Sequence, residues 1–251
     1  MLRKIIARDN LASRLLVVLA VYGILCASVV SILVFAGEKD PDKRAILSMG
    51  IGLIAIWCIL GGVAMRLARN RFVEWSLRLR IEWRLRFVLF CIAMAMLEEA
   101  VTTSLTNAAP LFGAVSGAAR ITSSTNYFKV ISGSVVVFIP WFICWAWILG
   151  RYDFRPLEVM LLFGLTGTMA ESITFGYQHI AEIGMWVFVY GLMVYLPAHT
   201  VPRTRNAITV KWRHCIGAIF LPLVFIVPFA IFLIFSLLKH LASLVRKALA
   251  R

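Results

Sequence analysis

The chain has 251 residues, of which 61% are hydrophobic and only 15% are charged, and its formal net charge is +14. Together with a mean hydropathy of +0.89, this composition excludes an ordinary soluble domain and predicts an all-α, polytopic membrane helix bundle. The positive charge does not indicate nucleic-acid binding, because basic residues between apolar segments are typical of membrane topology and no zinc-finger or RNA-binding aromatic pattern accompanies them. We therefore expect a lipid bilayer around the chain, anionic lipid headgroups at the basic inner loops, and no nucleic acid.

Seven apolar segments of near membrane-spanning length follow one another along the chain. A helix needs about 20 apolar residues to cross a hydrocarbon core of about 30 Å. The predicted spans are residues 15–35, 46–65, 87–105, 130–149, 157–175, 183–196 and 215–238. The first is too long for the apolar core of a signal peptide and is expected to be a retained helix. The sequence therefore predicts one domain of about seven transmembrane helices over residues 1–251.

Lysine and arginine residues are unevenly distributed between alternate loops. With the N-terminus inside, the inner segments hold 17 of the 26 basic residues and the outer segments hold nine. The positive-inside rule then predicts a protein of the cell membrane with a cytoplasmic N-terminus. The C-terminal tail disagrees, since its four basic residues would lie outside after seven spans. An eighth crossing hidden in residues 106–128 is the alternative.

The basic segment 66–86, between the second and third spans, is predicted to lie at the inner membrane interface. Residues 74–87 alternate strictly between polar and apolar side chains, which is typical of a strand. No second segment of this kind is available for pairing, however, and the spacing of Glu82 and Arg86 permits an ion pair along a helix. We expect an interfacial helix that continues into the third span, with a strand as the alternative.

Three glutamates within apolar helical segments mark the predicted polar centre. Glu98 and Glu99 lie in the third span, and Glu171 lies in the fifth. A charged side chain in hydrocarbon costs about 2.5–3.5 kcal/mol or more, so such groups usually face a protein interior or a water-filled cavity. A rise of about 1.5 Å per residue places Glu98 and Glu171 at similar depths in the outer half of the membrane. Because neighbouring side chains on a helix diverge by about 100°, we expect only one of Glu98 and Glu99 to face the centre.

Polar residues from other regions of the chain are predicted at the same outer level. Besides the three glutamates, the remaining candidate for catalysis is His179, in the turn after the fifth span. The candidates for binding are Asn107, Asn126, Tyr127 and Glu182. The sequence thus predicts one polar cluster built from three separate regions of the chain. The sequence leaves open whether a metal or another cofactor is bound; the five cysteines include no C-x-x-C pair and need no redox or metal explanation.

Two neighbouring features have structural interpretations. Glu98 or Glu99 is also suited to pair with Arg120 as a packing device. The segment from Asn107 to Phe128, rich in small apolar residues at its start, is either an ordinary outer loop or a re-entrant loop that lines a cavity.

Small residues recur at every fourth position near the end of the fifth span. They are Gly164, Thr168, Ser172 and Gly176. This stripe predicts a close-packing face for another helix, which would place the fifth span, and Glu171 with it, in the interior of the bundle.

The pair Glu98 and Glu99 resembles the start of the E-E-x-x-x-R motif of the glutamate-type intramembrane proteases of the CAAX-processing and bacteriocin-processing group. Thr103 stands where that family has arginine, and neither His179 nor His199 completes the later histidine motifs. The similarity covers about six of the 251 residues and half of one motif, so the sequence is assigned to no family on this basis.

Three classes of function are compatible with such a centre. In an intramembrane hydrolase or peptidase, one carboxylate activates water while His179 or a second carboxylate assists, with or without a metal. In a small proton- or cation-coupled transporter, the three glutamates bind and release the ion. In a non-catalytic membrane subunit, the polar residues only hold helices together.

Overall fold

The computed structural model describes the backbone of residues 2–225 and the side chains of residues 11–225. The helices are α1 (Leu2–Gly37), α2 (Pro41–Leu53), a π-helical segment (Ile54–Gly61), α3 (Gly62–Arg78), α4 (Trp83–Asn107), α5 (Tyr127–Gly133), α6 (Val135–Arg151), α7 (Pro156–Phe175), α8 (Ile183–His199) and α9, which begins at Trp212 and is described to Phe225. Short 3-10 turns follow α4 and α7, at Ala109–Phe112 and Tyr177–Ile180. No strand is present among the described residues, which confirms the all-α class.

Four helices are long and apolar enough to cross a membrane. They are Leu11–Gly37, the continuous helix Pro41–Arg78, Trp83–Asn107 and Pro156–Phe175. The pair α5 and α6, bent by 42°, raises the number to five when it is counted as one span. Helix α8 has 17 residues and is therefore only about 26 Å long. The predicted count of seven is thus not confirmed within residues 2–225, and the seventh predicted span, 215–238, lies mostly outside the described residues, as does the basic tail.

The expected continuous helix over residues 74–87 is interrupted. Helix α3 ends at Arg78, and α4 begins at Trp83 after a turn in which Leu79 is extended. Glu82 caps α4, because its carboxylate accepts hydrogen bonds from the backbone N–H groups of the second and third residues of the helix, at 2.7 and 3.2 Å. Arg86, the expected partner of Glu82, instead points into the bundle, where it is only 5% exposed. The alternating pattern therefore reflects a helix, a turn and a second helix.

Helices α7 and α8 form the closest helix pair of the bundle. A Cβ atom added to Gly164 would lie only 2.8 Å from the Val187 Cα atom, and one added to Gly191 would lie 2.7 Å from the Met160 carbonyl oxygen. Both glycines therefore let the two backbones approach closely. The stripe contributes to this face at Gly164, whereas Gly176 ends α7 with a positive φ of 121°.

An aromatic core fixes α6 against α7. The ring of Phe163 lies on three side chains of α6, with centroid distances of 6.1, 5.6 and 6.4 Å to Trp141, Phe142 and Trp145. All four side chains are almost fully buried. This core supplies a rigid support for α7, the helix that carries Glu171.

Helix α1 crosses α8 at a close contact between two glycines, and it also contacts α2 and α7. The backbones of Gly23 and Gly184 lie so close that a Cβ atom on either glycine would come within 2.7 Å of the other's backbone. Beside this crossing, the Tyr22 hydroxyl donates to the Ala181 carbonyl oxygen at 2.8 Å. Most other apolar side chains of α1 are exposed.

Candidate functional site

A cavity of about 630 Å³ lies between α1, α2, α4, α7 and α8. Most of its lining side chains are apolar, and the polar ones come from α4, α7, α8, the turn before α8, Ser134 and the loop residues 120–123. The sequence-predicted candidates that line it are Glu98, Glu99, Glu171, His179 and Glu182. The fold thus brings five of the eight candidates to one space.

Glu98 and Glu99 both line this cavity, although we expected only one of them to face the centre. The cavity extends from Ile54 beside α2 to Phe138 on α6, so it covers more than one side of α4. Glu98 is 5% exposed and Glu99 is 7% exposed. The expectation was wrong because the cavity surrounds enough of α4 to include two side chains that diverge by about 100°.

The two carboxylates differ in their partners. Glu99 Oε2 accepts a hydrogen bond from the Thr102 hydroxyl at 3.2 Å, and Ser134 also faces this carboxylate. The Glu98 carboxylate has no hydrogen-bond partner within residues 11–225, and it lies close enough to Glu99 and Glu171 for their charges to interact. The alternative pairing with Arg120 is not present among the described contacts, and Arg120 is exposed.

Glu171 approaches the same space from α7. The Tyr190 hydroxyl of α8 donates a hydrogen bond to Glu171 Oε1. Tyr190 is 8% exposed, and its ring packs on the backbone of α7 because Gly167 has no side chain there. Sequence reasoning missed Tyr190, because a tyrosine within the apolar segment 183–196 is as typical of a core as of a site.

His179 lies at the rim, in the 3-10 turn after α7. Its Nδ1 atom is 2.8 Å from Glu182 Oε2, and the same oxygen accepts a hydrogen bond from Trp186 Nε1 at 2.8 Å. The imidazole packs edge-on against Phe175 and Trp186, with ring centroids 6.3 and 5.7 Å away. Glu182 therefore orients the imidazole ring, while aromatic neighbours hold it in place.

The three other binding candidates do not line the cavity. The Asn107 side chain donates to the Thr125 carbonyl oxygen at 3.0 Å, and Asn126 caps α5. The Tyr127 hydroxyl donates to the Met96 carbonyl oxygen of α4 at 2.8 Å. These hydrogen bonds are made in the connection between α4 and α5 and to the backbone of α4.

The segment between α4 and α5 reaches the cavity through residues 120–123. It is fastened to the start of α2 by Asp42, whose Oδ1 atom accepts hydrogen bonds from the backbone N–H groups of Val115 and Ser116 at 2.8 and 3.1 Å. The Ser116 hydroxyl also donates to this carboxylate. Within the segment, Leu111 is 88% exposed. The segment is thus a loop with a single 3-10 turn that contributes one wall of the cavity.

No three His, Cys, Asp or Glu side chains are arranged to hold a metal ion in the part of the chain whose side chains are described. Comparisons with protein-family models, with curated proteins and with solved structures find no match.

Proposed function

We propose that the chain is a multi-pass protein of the cell membrane, with a cytoplasmic N-terminus, and that its cavity exchanges protons for cations at Glu98, Glu99 and Glu171. It would then act as a small proton- or cation-coupled carrier. The observation that carries this proposal is that three carboxyl groups share one largely apolar cavity while their only described partners are hydroxyl groups.

None of Glu98, Glu99 and Glu171 forms an ion pair with a lysine or arginine among the described residues, and His179, the nearest basic side chain, pairs with Glu182. Like charges in a weakly polar space repel strongly, and each charge there also loses hydration. The three groups therefore cannot all be ionised unless a cation lies between them. Protons and cations compete for the same oxygens, and this competition is the chemical basis of coupled exchange.

A second candidate function is favoured by His179. Its Nδ1 atom is held by Glu182 at 2.8 Å, an arrangement that fixes one tautomer and leaves Nε2 for proton transfer in a hydrolase. The ring lines the cavity near Glu171, which acts on it electrostatically. An intramembrane hydrolase or peptidase would use this imidazole and one glutamate as acid and base.

Proton release from the purified full-length protein tests the exchange. Cations are added to the protein in weakly buffered nonionic detergent, and a pH dye reports released protons; the panel contains alkali and alkaline-earth ions, small ammonium ions and tetraphenylphosphonium. We expect release by at least one cation and its loss in Glu98→Gln, because glutamine keeps the shape but has no ionisable proton. Glu99→Gln and Glu171→Gln are expected to reduce it.

The matched control is Glu74→Gln, which changes an exposed glutamate of α3 outside the cavity. It should release protons as the unsubstituted chain does. No release by any cation of the panel would overturn the exchange proposal. Loss of hydrolytic activity in His179→Gln, with proton release unchanged, would favour the hydrolase. Folded yield is measured for each variant, since replacement of buried ionic groups by neutral ones is often tolerated.

The proposed topology has its own test. A reporter of membrane side fused after Arg205 should report the inner side, and one fused after Arg251 should report the outer side, because seven spans separate an inside N-terminus from an outside C-terminus. The same side for both fusions would contradict a crossing between residues 205 and 251 and with it the seven spans. An outer side after Arg205 together with an inner side after Arg251 would favour the eighth crossing.

A further inference from the structure

The cavity is larger, and its lining more apolar, than proton or metal-ion exchange requires. Its volume of about 630 Å³ lies within the range of about 300–1,000 Å³ typical of small-molecule sites. Apolar side chains of two helices also line the cavity and form the apolar wall: Ala27 and Val30 on α1, and Ile46, Leu47 and Ile51 on α2. A hydrated inorganic ion gains nothing from such a wall, whereas an organic molecule buries apolar surface on it.

We propose that the ligand of this cavity is a lipophilic organic cation, whose charged centre lies at Glu98 and whose apolar body packs on the wall formed by α1 and α2. This inference rests on the proposed exchange function and specifies the substrate class. A neutral amphiphile would leave the glutamates without a counter-charge, and an anion would be repelled by them.

Glu98 points to such a ligand independently of the acidic cluster. It is only 5% exposed, its carboxylate lines the cavity, and no described residue donates a hydrogen bond to it. Buried polar groups are rarely left without a partner, because an unmade hydrogen bond costs the full desolvation of the group. A cationic group in the cavity would supply that missing partner.

The charges around the cavity agree with a cation. Four carboxyl groups line it, and Arg120 and His179 are the basic side chains among the lining residues. His179 is already paired with Glu182, and Arg120 is exposed on the loop. Three glutamates therefore face the interior against one peripheral guanidinium, so a cation is favoured over an anion of the same shape.

Gly50 offers a way to change the wall without touching the carboxyl groups. It lines the cavity from α2, and a Cβ atom added there would meet nothing within 4 Å. The first carbon of a leucine side chain at this position therefore meets no neighbouring atom, and the side chain would add bulk to the wall on which the apolar body of the ligand is expected to pack. Gly37, at the end of α1, also has nothing within 4 Å but does not line the cavity.

Equilibrium dialysis of radiolabelled tetraphenylphosphonium against the purified full-length protein in nonionic detergent tests this inference, with protein-free micelles as the background. Tetraphenylborate has the same shape and the opposite charge. We expect saturable binding of the cation and no saturable binding of the borate. Glu98→Gln should weaken cation binding by about tenfold or more, since a contact with a charged partner is lost. Binding should also weaken as the pH falls, because protons compete for the same oxygens.

Gly50→Leu should weaken tetraphenylphosphonium binding by about tenfold or more, because it occupies part of the apolar space. Gly37→Leu should bind as the unsubstituted chain does, and size-exclusion profiles of both variants check that they are folded. Equal binding of the borate, or unchanged binding in folded Gly50→Leu, would overturn the inference. Proton release by inorganic cations without tetraphenylphosphonium binding would overturn it as well, while leaving the exchange function intact. An absence of release by any cation would overturn both.

Discussion

Gly164→Leu is expected to prevent the chain from folding. A Cβ atom at this position would lie 2.8 Å from the Val187 Cα atom and even closer to the carbonyl oxygen of that residue, so the new side chain would meet backbone that cannot move aside. Helices α7 and α8 would have to separate, which would disturb the hydrogen bond between Tyr190 and Glu171 across the same interface. Overpacking by a few methylene groups already costs about 1–3 kcal/mol, and a displaced helix costs more. Monodisperse yield after detergent extraction, measured by size exclusion, should fall to background.

Gly50→Leu is the matched control for this experiment. The substitution is the same, both positions are helical, and both lie in apolar segments, but Gly50 has open space where Gly164 has backbone. We expect near-normal yield from Gly50→Leu. A normal yield from Gly164→Leu would contradict the close approach of α7 and α8. A loss of yield in both variants would show that added bulk, and not the interface, is responsible.

The residues of the site that could be predicted from the sequence are those with a large individual cost in an apolar environment. Glu98, Glu99 and Glu171 stand out in this way because a carboxylate is rare in an apolar helical segment. Tyr190 does not stand out, since a tyrosine in such a segment is as typical of a core as of a site. Its role depends on Gly167 of another helix, whose missing side chain leaves room for its ring.

The shape of the cavity could not be predicted, because it is a property of how several elements pack. The prediction that one of two adjacent glutamates faces away used the geometry of α4 alone, and the wide space around that helix comes from α2 and α6. Asn107, Asn126 and Tyr127 were placed near the site because of their position along the chain. Their hydrogen bonds are made within the connection between α4 and α5 and with the α4 backbone.

The turn at residues 79–82 shows the same dependence on distant parts of the chain. Alternation of polar and apolar residues places Arg86 on a solvated face beside Glu82, and local spacing alone favours that pair. The Arg86 guanidinium instead donates to the Ser76 carbonyl oxygen at 3.1 Å and to the Thr200 carbonyl oxygen at 3.0 Å. The second of these residues is 114 positions away, so no local pattern reports it.

Arg86→Met is expected to destabilise the protein by about 3 kcal/mol, because two hydrogen bonds from a charged group are lost. The buried Thr200 carbonyl oxygen is then left without a described donor, whereas the Ser76 carbonyl oxygen keeps the Leu79 N–H at 3.2 Å. Arg86 joins the last turn of α3 to the end of α8, where a cation is favourable beside the carbonyl groups of the helix ends. Removal of the guanidinium therefore removes a direct link between the ends of two helices. Thermal unfolding of the detergent-purified variant, followed by loss of the monodisperse peak, measures the effect.

Two arginine variants separate this role from charge alone. Arg84→Met removes the same type of side chain two residues earlier, where the arginine is exposed and lies 3.4 Å from the Glu82 carboxylate. Because such surface ion pairs contribute about 0–1 kcal/mol to stability, we expect little change in this variant. Arg86→Lys keeps the charge but lacks the planar fork that reaches two carbonyl groups, so it should restore only part of the stability. Equal losses in Arg84→Met and Arg86→Met would attribute the effect to net charge. Unchanged stability in Arg86→Met would show that the ends of α3 and α8 are held by packing, with the buried guanidinium contributing nothing to their attachment.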